Sequence, residues 1–505
     1  MISIVAEVAL YLPVPIFGFL CDRYGPRPIA LSAGFLFGLG YLLAAFTYRS
    51  GPPAETGSGE GWPFGLMVLA FVGVGSGTCG MYIAAVTTCA KNYGRGEHKG
   101  FALSAPIASF GLSGMWQSQV GSRLLSERNP DGSRGELDVF RYFLFLSGLL
   151  FAVGIIGSLA FRVVDENELI DEAVEELERS GILPPGQLYT PGGYGTMSRD
   201  GGDRTAEEDL GASKLREEED ARKKAWLLWA ETKQFLKDPT MWWLAAGFFL
   251  ITGPGEAFIN NMGTIIGTLY PPPTHHYDSS QGSKSGLPST SAATHVSIVA
   301  VTSTLGRLAS GMLSDLLAPD AGPHQHRRGP ASLTASLASL DPMRESPTHR
   351  RFTVSRVPLL LVATLISSIG FVVLASGAVQ NHAADRFWMV SATVGIGYGA
   401  TFSLVPIIIS CVWGVENFGT NWGIVAVVPA FSTAVWSVLY AMAYEKGSEH
   451  STDVRDSPDL EGRCFGTQCY AFTFWLEAVA VWIACVLFLW AWRGAGGWKS
   501  RGVAV

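Results

Sequence analysis

Charge is scarce in this chain of 505 residues: Asp, Glu, Lys and Arg make up 16% of it, against 48% hydrophobic residues. Soluble chains carry about 25% charged residues, so a water-facing globular surface is excluded for most of the length. Cysteine is sparse as well, and the seven that occur show no metal-ligand spacing. No Asn-x-Ser/Thr sequon, phosphate loop or triad-like arrangement is present, and the net charge of −7 offers no nucleic-acid surface. Gly73-x-Gly75-x-Gly77 follows no strand and sits inside an apolar run, so it reads as close helix packing and not as a nucleotide fingerprint. No cofactor and no nucleic-acid partner are expected.

What the chain has instead is apolar runs. A hydrocarbon core about 30 Å thick takes roughly 20 helical residues to cross. Tyr142 to Phe161 lies uncharged between Arg141 and Arg162, and Val357 to Ala378 follows Arg350, Arg351 and Arg356 with no charge at all. The same pattern predicts spans near 2–20, 29–48, 64–90, 100–122, 240–269, 294–316, 387–413, 420–444 and 470–492, eleven in all. Backbone polar groups in lipid must be satisfied within the structure, and strands of a barrel would alternate over about ten residues, so the class is an all-α polytopic membrane protein. The first span lacks a basic leader and a small-residue cleavage site and contains Glu7, which reads as a retained helix.

The sequence also repeats itself. Gly73, Gly75, Gly77 and Cys89 recur 322 residues later as Gly395, Gly397, Gly399 and Cys411. Asn92-Tyr93-Gly94, Gly100 and Pro106 answer to Asn417-Phe418-Gly419, Gly423 and Pro429. Gly18-Phe19-Leu20-Cys21-Asp22 answers to Gly311-Met312-Leu313-Ser314-Asp315. Two pseudo-symmetric bundles follow: residues 1–162 and 239–505, joined by a central loop at 163–238. The second bundle counts six helices and the first five, so eleven of twelve are present and the absent one is expected before Met1.

Of 36 basic residues, Arg307 alone falls inside a span. With the Asp22 loop cytoplasmic, that side holds 25 of the other 35, and 14 against 10 once the central loop and its edge at Arg162 are set aside. The central loop carries 19 acidic and 10 basic residues and is expected to be cytoplasmic. Within it, 166–179 and 217–237 read as amphipathic helices, the second with Trp226, Leu227, Trp229 and Phe235 placed to lie on the membrane surface. Pro184 to Gly202 and the 319–349 loop read as solvated linkers.

Gly18, Asp22, Arg23, Gly25 and Arg27 form a Gly-x-x-x-Asp-Arg-x-Gly-x-Arg pattern between two spans. It resembles the signature of the major facilitator superfamily, where this loop latches one conformation of an alternating cycle. Gly18 allows close helix contact, Asp22 can accept hydrogen bonds from a neighbouring helix end, and Arg23 and Arg27 suit a cytoplasmic interface. The second copy keeps Gly311 and Asp315 but has Leu316 and Leu317 in place of the basic residue. The stretches 253–263 (GPGEAFINNMG), 412–420 (VWGVENFGT) and 302–307 (TSTLGR) are similar to fungal homologues of monocarboxylate permeases, in particular their vacuolar branch. The resemblance implies a vacuolar-membrane transporter, with the plasma membrane as the alternative location.

Intramembrane charge locates the candidate chemistry, because each such group costs at least about 2.5 kcal/mol. Arg307 lies eight residues from Asp315, roughly 12 Å deep at 1.5 Å per residue, and its planar fork matches a carboxylate. The resemblance implies an arginine here that pairs with the substrate carboxylate, and an aspartate four residues earlier as proton site, where this chain has Ser303. Glu256 follows Gly253-Pro254-Gly255, which is expected to break its helix and free backbone groups. As a buried carboxylate it is the candidate proton carrier, the alternative being a tie across the break. Asn260, Asn261, Trp116, Gln117 and Glu7 are further candidate cavity residues, and Cys464 and Cys469 share one loop as a candidate disulfide.

Three function classes remain. The leading one is a monomeric secondary carrier that moves a small organic solute, with a monocarboxylate and a coupled proton as the leading choice, by rocking two bundles about a midplane site in membrane lipid. A non-transporting sensor or scaffold with the same fold is the alternative. A membrane-embedded enzyme fits worst, since the intramembrane charges are few and unclustered.

Overall fold

The computed structural model describes residues 2–53, 61–128, 134–164, 228–270, 292–317, 354–449 and 464–505. The expected helix at 166–179, the segment from Pro184 to Gly202, the 319–349 loop, Trp226 and Leu227 lie outside them.

The first bundle contains α1 (Ile2–Tyr11), α2 (Val14–Tyr24), α3 (Pro26–Arg49), α4 (Phe64–Tyr93), α5 (Lys99–Leu124) and α6 (Val139–Ala160). A short antiparallel hairpin, β1 (Ser126–Arg128) with β2 (Arg134–Leu137), joins the last two. The second bundle contains α7 (Pro239–Asn260), α8 (Met262–Leu269), α9 (Ala292–Leu317), α10 (Arg356–Ala375), α11 (Phe387–Trp413), α12 (Phe418–Ala426), α13 (Val428–Glu449) and α14 (Ala471–Arg493). Among the described residues ten stretches are long and apolar enough to cross a membrane. The remaining expected span, α5, is long enough but rich in Ser and Gly. It packs between α4 of its own bundle and α9 and α11 of the other, so protein encloses much of a helix that lipid alone would not favour.

Proline decides where helices yield, and its effect depends on the neighbours. The span expected at 2–20 is two helices, divided around Leu12 and Pro13, because Pro13 offers no N–H to continue the ladder. The span expected at 420–444 divides at Val427, just before Pro429. Gly253-Pro254-Gly255 behaves differently: α7 runs unbroken to Asn260, and the break falls at Asn261. The expected interruption at Pro254 is thus corrected. Pro254 leaves the Leu250 carbonyl, four residues back, without its helical donor, and the Ser432 hydroxyl of α13 donates one residue earlier, to the Phe249 carbonyl. Gly253 allows that approach, since a Cβ there would overlap Ser432 and Trp436.

The bundles meet along α2 on α12 and α5 on α9. A side chain at Gly18 would overlap the Gly419 backbone, and one at Gly311 would overlap Ser104 and Gly100. Backbones therefore touch at both crossings. Inside the second bundle Phe258, Phe371 and Phe474 pack with ring centroids 6.2–6.4 Å apart.

Ser432→Ala should lower stability by roughly 0.5–1.5 kcal/mol, the usual net worth of one hydrogen bond. Thermal unfolding of purified protein in detergent should show a reduced midpoint. An unchanged midpoint would mean that the Phe249 carbonyl is satisfied without Ser432.

Candidate functional site

Polar groups collect where the two bundles face each other. Arg307, on α9, is 5% exposed. Its Nη1 donates to the Ile107 carbonyl of α5 at 3.1 Å, and its guanidinium lies 6.0 Å from the Phe402 ring centroid on α11. A Cβ at Gly111 would occupy the guanidinium's place, so α5 leaves a notch for it. Nε has no partner, and among the described residues no carboxylate lies within ion-pair distance. A planar cation is thus held inside the protein with part of its fork unspent. Ser303, one turn back, donates to the Ala300 carbonyl of its own helix at 3.2 Å.

Glu256, on α7, is partly exposed. Its Oε1 accepts from the Tyr398 hydroxyl of α11 and from the Tyr11 hydroxyl of α1, the latter at 3.3 Å. Asn260 donates to Glu7 Oε1 at 3.3 Å, a second link between α7 and α1. The Phe402 ring beside Arg307 packs against Tyr398 with centroids 4.7 Å apart, which joins the two groups. The structure therefore brings together Arg307, Glu256, Asn260 and Glu7. Tyr11, Tyr398 and Phe402 belong with them and are absent from the sequence reading, although Tyr11 stands one turn from Glu7. Asn261 spends its amide on the Ala257 carbonyl at 2.8 Å and ends its own helix. Trp116 is about half exposed and Gln117 partly so, nine and ten residues along α5 from Ile107, and among the described residues neither bonds to Arg307 or Glu256.

At the Asp22 end, carboxylates cross between bundles to cap helices. Asp22 is 1% exposed and accepts from Gly419 N at 3.3 Å, Thr420 N at 2.7 Å and Thr420 Oγ1 at 2.8 Å, while Lys91 Nζ pairs with it at 2.8 Å. Asp315, with no basic neighbour in sequence, still accepts from Gly100 N at 2.6 Å and Phe101 N at 2.8 Å. These contacts make Gly100 the counterpart of Gly419. The sequence pairing of Gly100 with Gly423 is one helical turn off. Gly25, at φ +85°, turns the chain from α2 into α3 in a conformation that favours glycine. Arg27 donates to the Phe161 carbonyl at 3.0 Å, Arg23 lies over the Tyr24 ring, and Arg95 pairs with Glu416 across the bundles.

The end of the central loop docks on this region. Residues 228–237 are helical. Phe235 is buried in edge contact with Trp413, so it lies in protein and not on the membrane surface as expected; Trp229 is exposed. Asn417 donates to Thr232 Oγ1 at 2.8 Å and to the Leu228 carbonyl at 3.3 Å. Burial, with Glu416 and Asp22 adding to it, raises the Glu231 carboxyl above its usual value. Asp238 opens α7 and accepts from Arg501 Nη1 at 2.7 Å and Trp413 Nε1 at 3.1 Å. At the other end of the bundle Cys464 and Cys469 form a disulfide.

Two helical bundles in contact through capped, glycine-lined crossings around a buried cation define a membrane transporter fold. The chain belongs to the Major Facilitator Superfamily, whose model matches residues 2–343. It is 52% identical to the "Probable transporter mch1" of Aspergillus fumigatus, covering 100% of this chain and 81% of that protein. Identity to the protein of the same name from Neurospora crassa is 48%, covering 100% and 84%. Among solved structures, the E. coli fucose:proton symporter FucP shares the fold at a TM-score of 0.51 and 12% identity, covering 97% of this chain and 90% of that one. The proton:xylose symporter XylE does so at 0.53 and 11%, covering 97% and 85%.

Burial raises the Asp238 carboxyl, but hydrogen bonds from Arg501 and Thr240 and the Arg501 charge outweigh it and hold the group below its usual 3.8. A depressed carboxylate stabilises the fold above its unfolded value, and the stabilisation is lost as pH falls through the folded one. Arg501→Gln should therefore lower the unfolding midpoint at neutral pH, with the gap to wild type closing below pH 3.8. A pH-independent gap would show that the clamp is not ionic.

Proposed function

We propose that this transporter carries a small organic anion, with a monocarboxylate as the first class to test, by alternating access, with Arg307 holding the carboxylate and Glu256 carrying a coupled proton. One observation carries the reading: Arg307 is buried with an unpartnered Nε and no carboxylate at ion-pair distance among the described residues. A buried unpaired charge is costly, and an anion that delivers its own carboxylate compensates it. The relatives' name, "Probable transporter", supports transport, and the resemblance to permease homologues supports a carboxylate as the cargo. Glu256 suits the proton because its bonds come from neutral hydroxyls, which accommodate the acid as well as the carboxylate. Asp22 and Asp315, with their glycines, serve as the latch, on the cytoplasmic side if the basic-residue bias holds. A vacuolar membrane is the proposed location, to be read from a fluorescent fusion, with the plasma membrane as the contrary result.

A sensor remains as a second reading because the 228–237 helix sits beside the latch through Asn417. Gradient-driven uptake into sealed vesicles of the purified protein separates the two, since a sensor gives none.

Arg307→Lys keeps charge but loses the fork. Uptake of an anionic substrate should fall at least about tenfold, the worth of one bidentate contact, while the protein folds and reaches its membrane. Normal uptake by a well-expressed lysine variant would remove the carboxylate-fork role.

Glu256→Gln preserves size and hydrogen bonding but not titration. Uptake driven by a pH gradient should be lost while exchange of substrate across the membrane, which moves no net proton, survives. If both fall together with stability, Glu256 is a tie between α1, α7 and α11; if driven uptake persists, it is not the coupling group.

A further inference from the structure

A second carboxyl group lies within the second bundle, away from the space between the halves. Glu477, on α14, is 1% exposed, and its Oε2 has no partner. Among the described residues no donor or cation reaches this carboxyl. Its neighbours along the helix are Phe474, Ala478 and Val481, all fully buried. An ionised carboxylate so placed has nothing to offset the loss of hydration.

Around it other polar atoms are also left over. On α14, Thr473 precedes Glu477 by four residues, on the same face, and its Oγ1 has no partner; Tyr470, at the cap of the helix, turns its hydroxyl toward Gln380. On α13, Thr433, Trp436 and Tyr440 repeat the arrangement, with Thr433 Oγ1 and Trp436 Nε1 unpartnered. The two faces meet: the Tyr440 and Phe474 ring centroids lie 6.2 Å apart, and Trp436 packs with Ala480. Several orphaned groups on facing helices mark a place for ordered water, because buried polar atoms almost always find a partner. The Tyr440 hydroxyl shares a hydrogen bond at 3.0 Å with Thr264 of α8, whose side chain is exposed. The other titratable groups nearby are Tyr444 on α13, which stacks near Tyr440, and Cys485 two turns along α14. Among the described residues α7 and α10 turn no charged group toward Glu477, and the Thr467–Cys469 turn brings only the disulfide.

We propose that Glu477 is a second proton-binding site, loaded through ordered water and Tyr440 from the Thr264 surface. The site does not rest on the Glu256 reading and stands whether or not that group is coupled. It bears on the same helix, because Trp436 and Ala480 pack on Ala257, the residue next to Glu256.

The test is infrared spectroscopy of the full chain in lipid nanodiscs at neutral pH, which needs no substrate. The wild type should show the carbonyl stretch of a protonated carboxylic acid that shifts in D2O. Glu477→Gln should abolish that band and Glu256→Gln should retain it. Glu477→Asp, which keeps a carboxyl on a shorter stem, covers the case in which the glutamine variant does not fold, and its band should move in frequency. Tyr440→Phe should slow deuterium exchange of the band severalfold. A band untouched by both Glu477 variants overturns the proton site, and unaltered exchange in Tyr440→Phe overturns the route through Tyr440.

Discussion

A helix N-terminus carries N–H groups that no residue of its own helix can satisfy. In this protein, two such ends are satisfied from the opposite bundle: Asp22 of α2 caps α12, and Asp315 of α9 caps α5. The rest of the arrangement depends on these bonds, because each carboxylate reaches its target only where glycines let the backbones touch. The carboxylate also meets the positive end of the helix dipole, which favours it further. The two caps differ in strength. Asp22 is fully enclosed and accepts three bonds from α12, whereas Asp315 is half-buried and accepts two from α5; Lys91, paired with Asp22, belongs to the same bundle as Asp22. The Asp22 crossing, with one more hydrogen bond between bundles and less access to water, is the stronger of the two.

With the bundles fixed at that end, the central cluster supplies weaker bonds between them. Arg307 bonds to a neutral carbonyl across the interface, Tyr11 to Glu256, and Asn260 to Glu7. On the proposed function, a substrate carboxylate offers Arg307 a charge-assisted bond roughly twice as strong as the one it makes to Ile107. Binding then exchanges a link between bundles for a link to substrate. This loosens the interface where the substrate sits and leaves the capped end as the remaining restraint.

Much of this was legible in the sequence. Uncharged runs of about 20 residues place spans to within a few residues, because lipid tolerates little else. The repeat places Asp22 and Asp315 at matching loops, and Arg307 stands out as the lone intramembrane base. The rest depends on contacts distant in sequence. α7 continues through Pro254 while packed against Ser432 and Trp436 of another helix, and Glu256 is held by Tyr398, 142 residues away. Phe235 reads as a membrane-facing aromatic until Trp413 is seen to cover it. Motif spacing alone pairs Gly100 with Gly423, and only the carboxylate caps reveal the slip of one turn. Glu477 gives no signal at all, since a single glutamate near the start of an apolar run reads as a helix-end charge.

Glu256 and Ala257 are successive residues of α7, and successive side chains on a helix point about 100° apart. One therefore faces the space between bundles, toward Tyr398 and Tyr11, while the other packs inward on Trp436 and Ala480. Any rotation or shift of α7 that alters the Glu256 hydroxyl contacts must also disturb packing within the second bundle, next to the turn of α14 that carries Glu477. α7 continues unbroken through Pro254, so no interruption separates this turn from the rest of the helix. The far end of α7 is pinned by Asp238 to Arg501 and Trp413. α7 is thus one continuous helix whose start is held beside the loop helix that rests on Asn417 and whose last turns carry Glu256 and Asn260 to the central cluster.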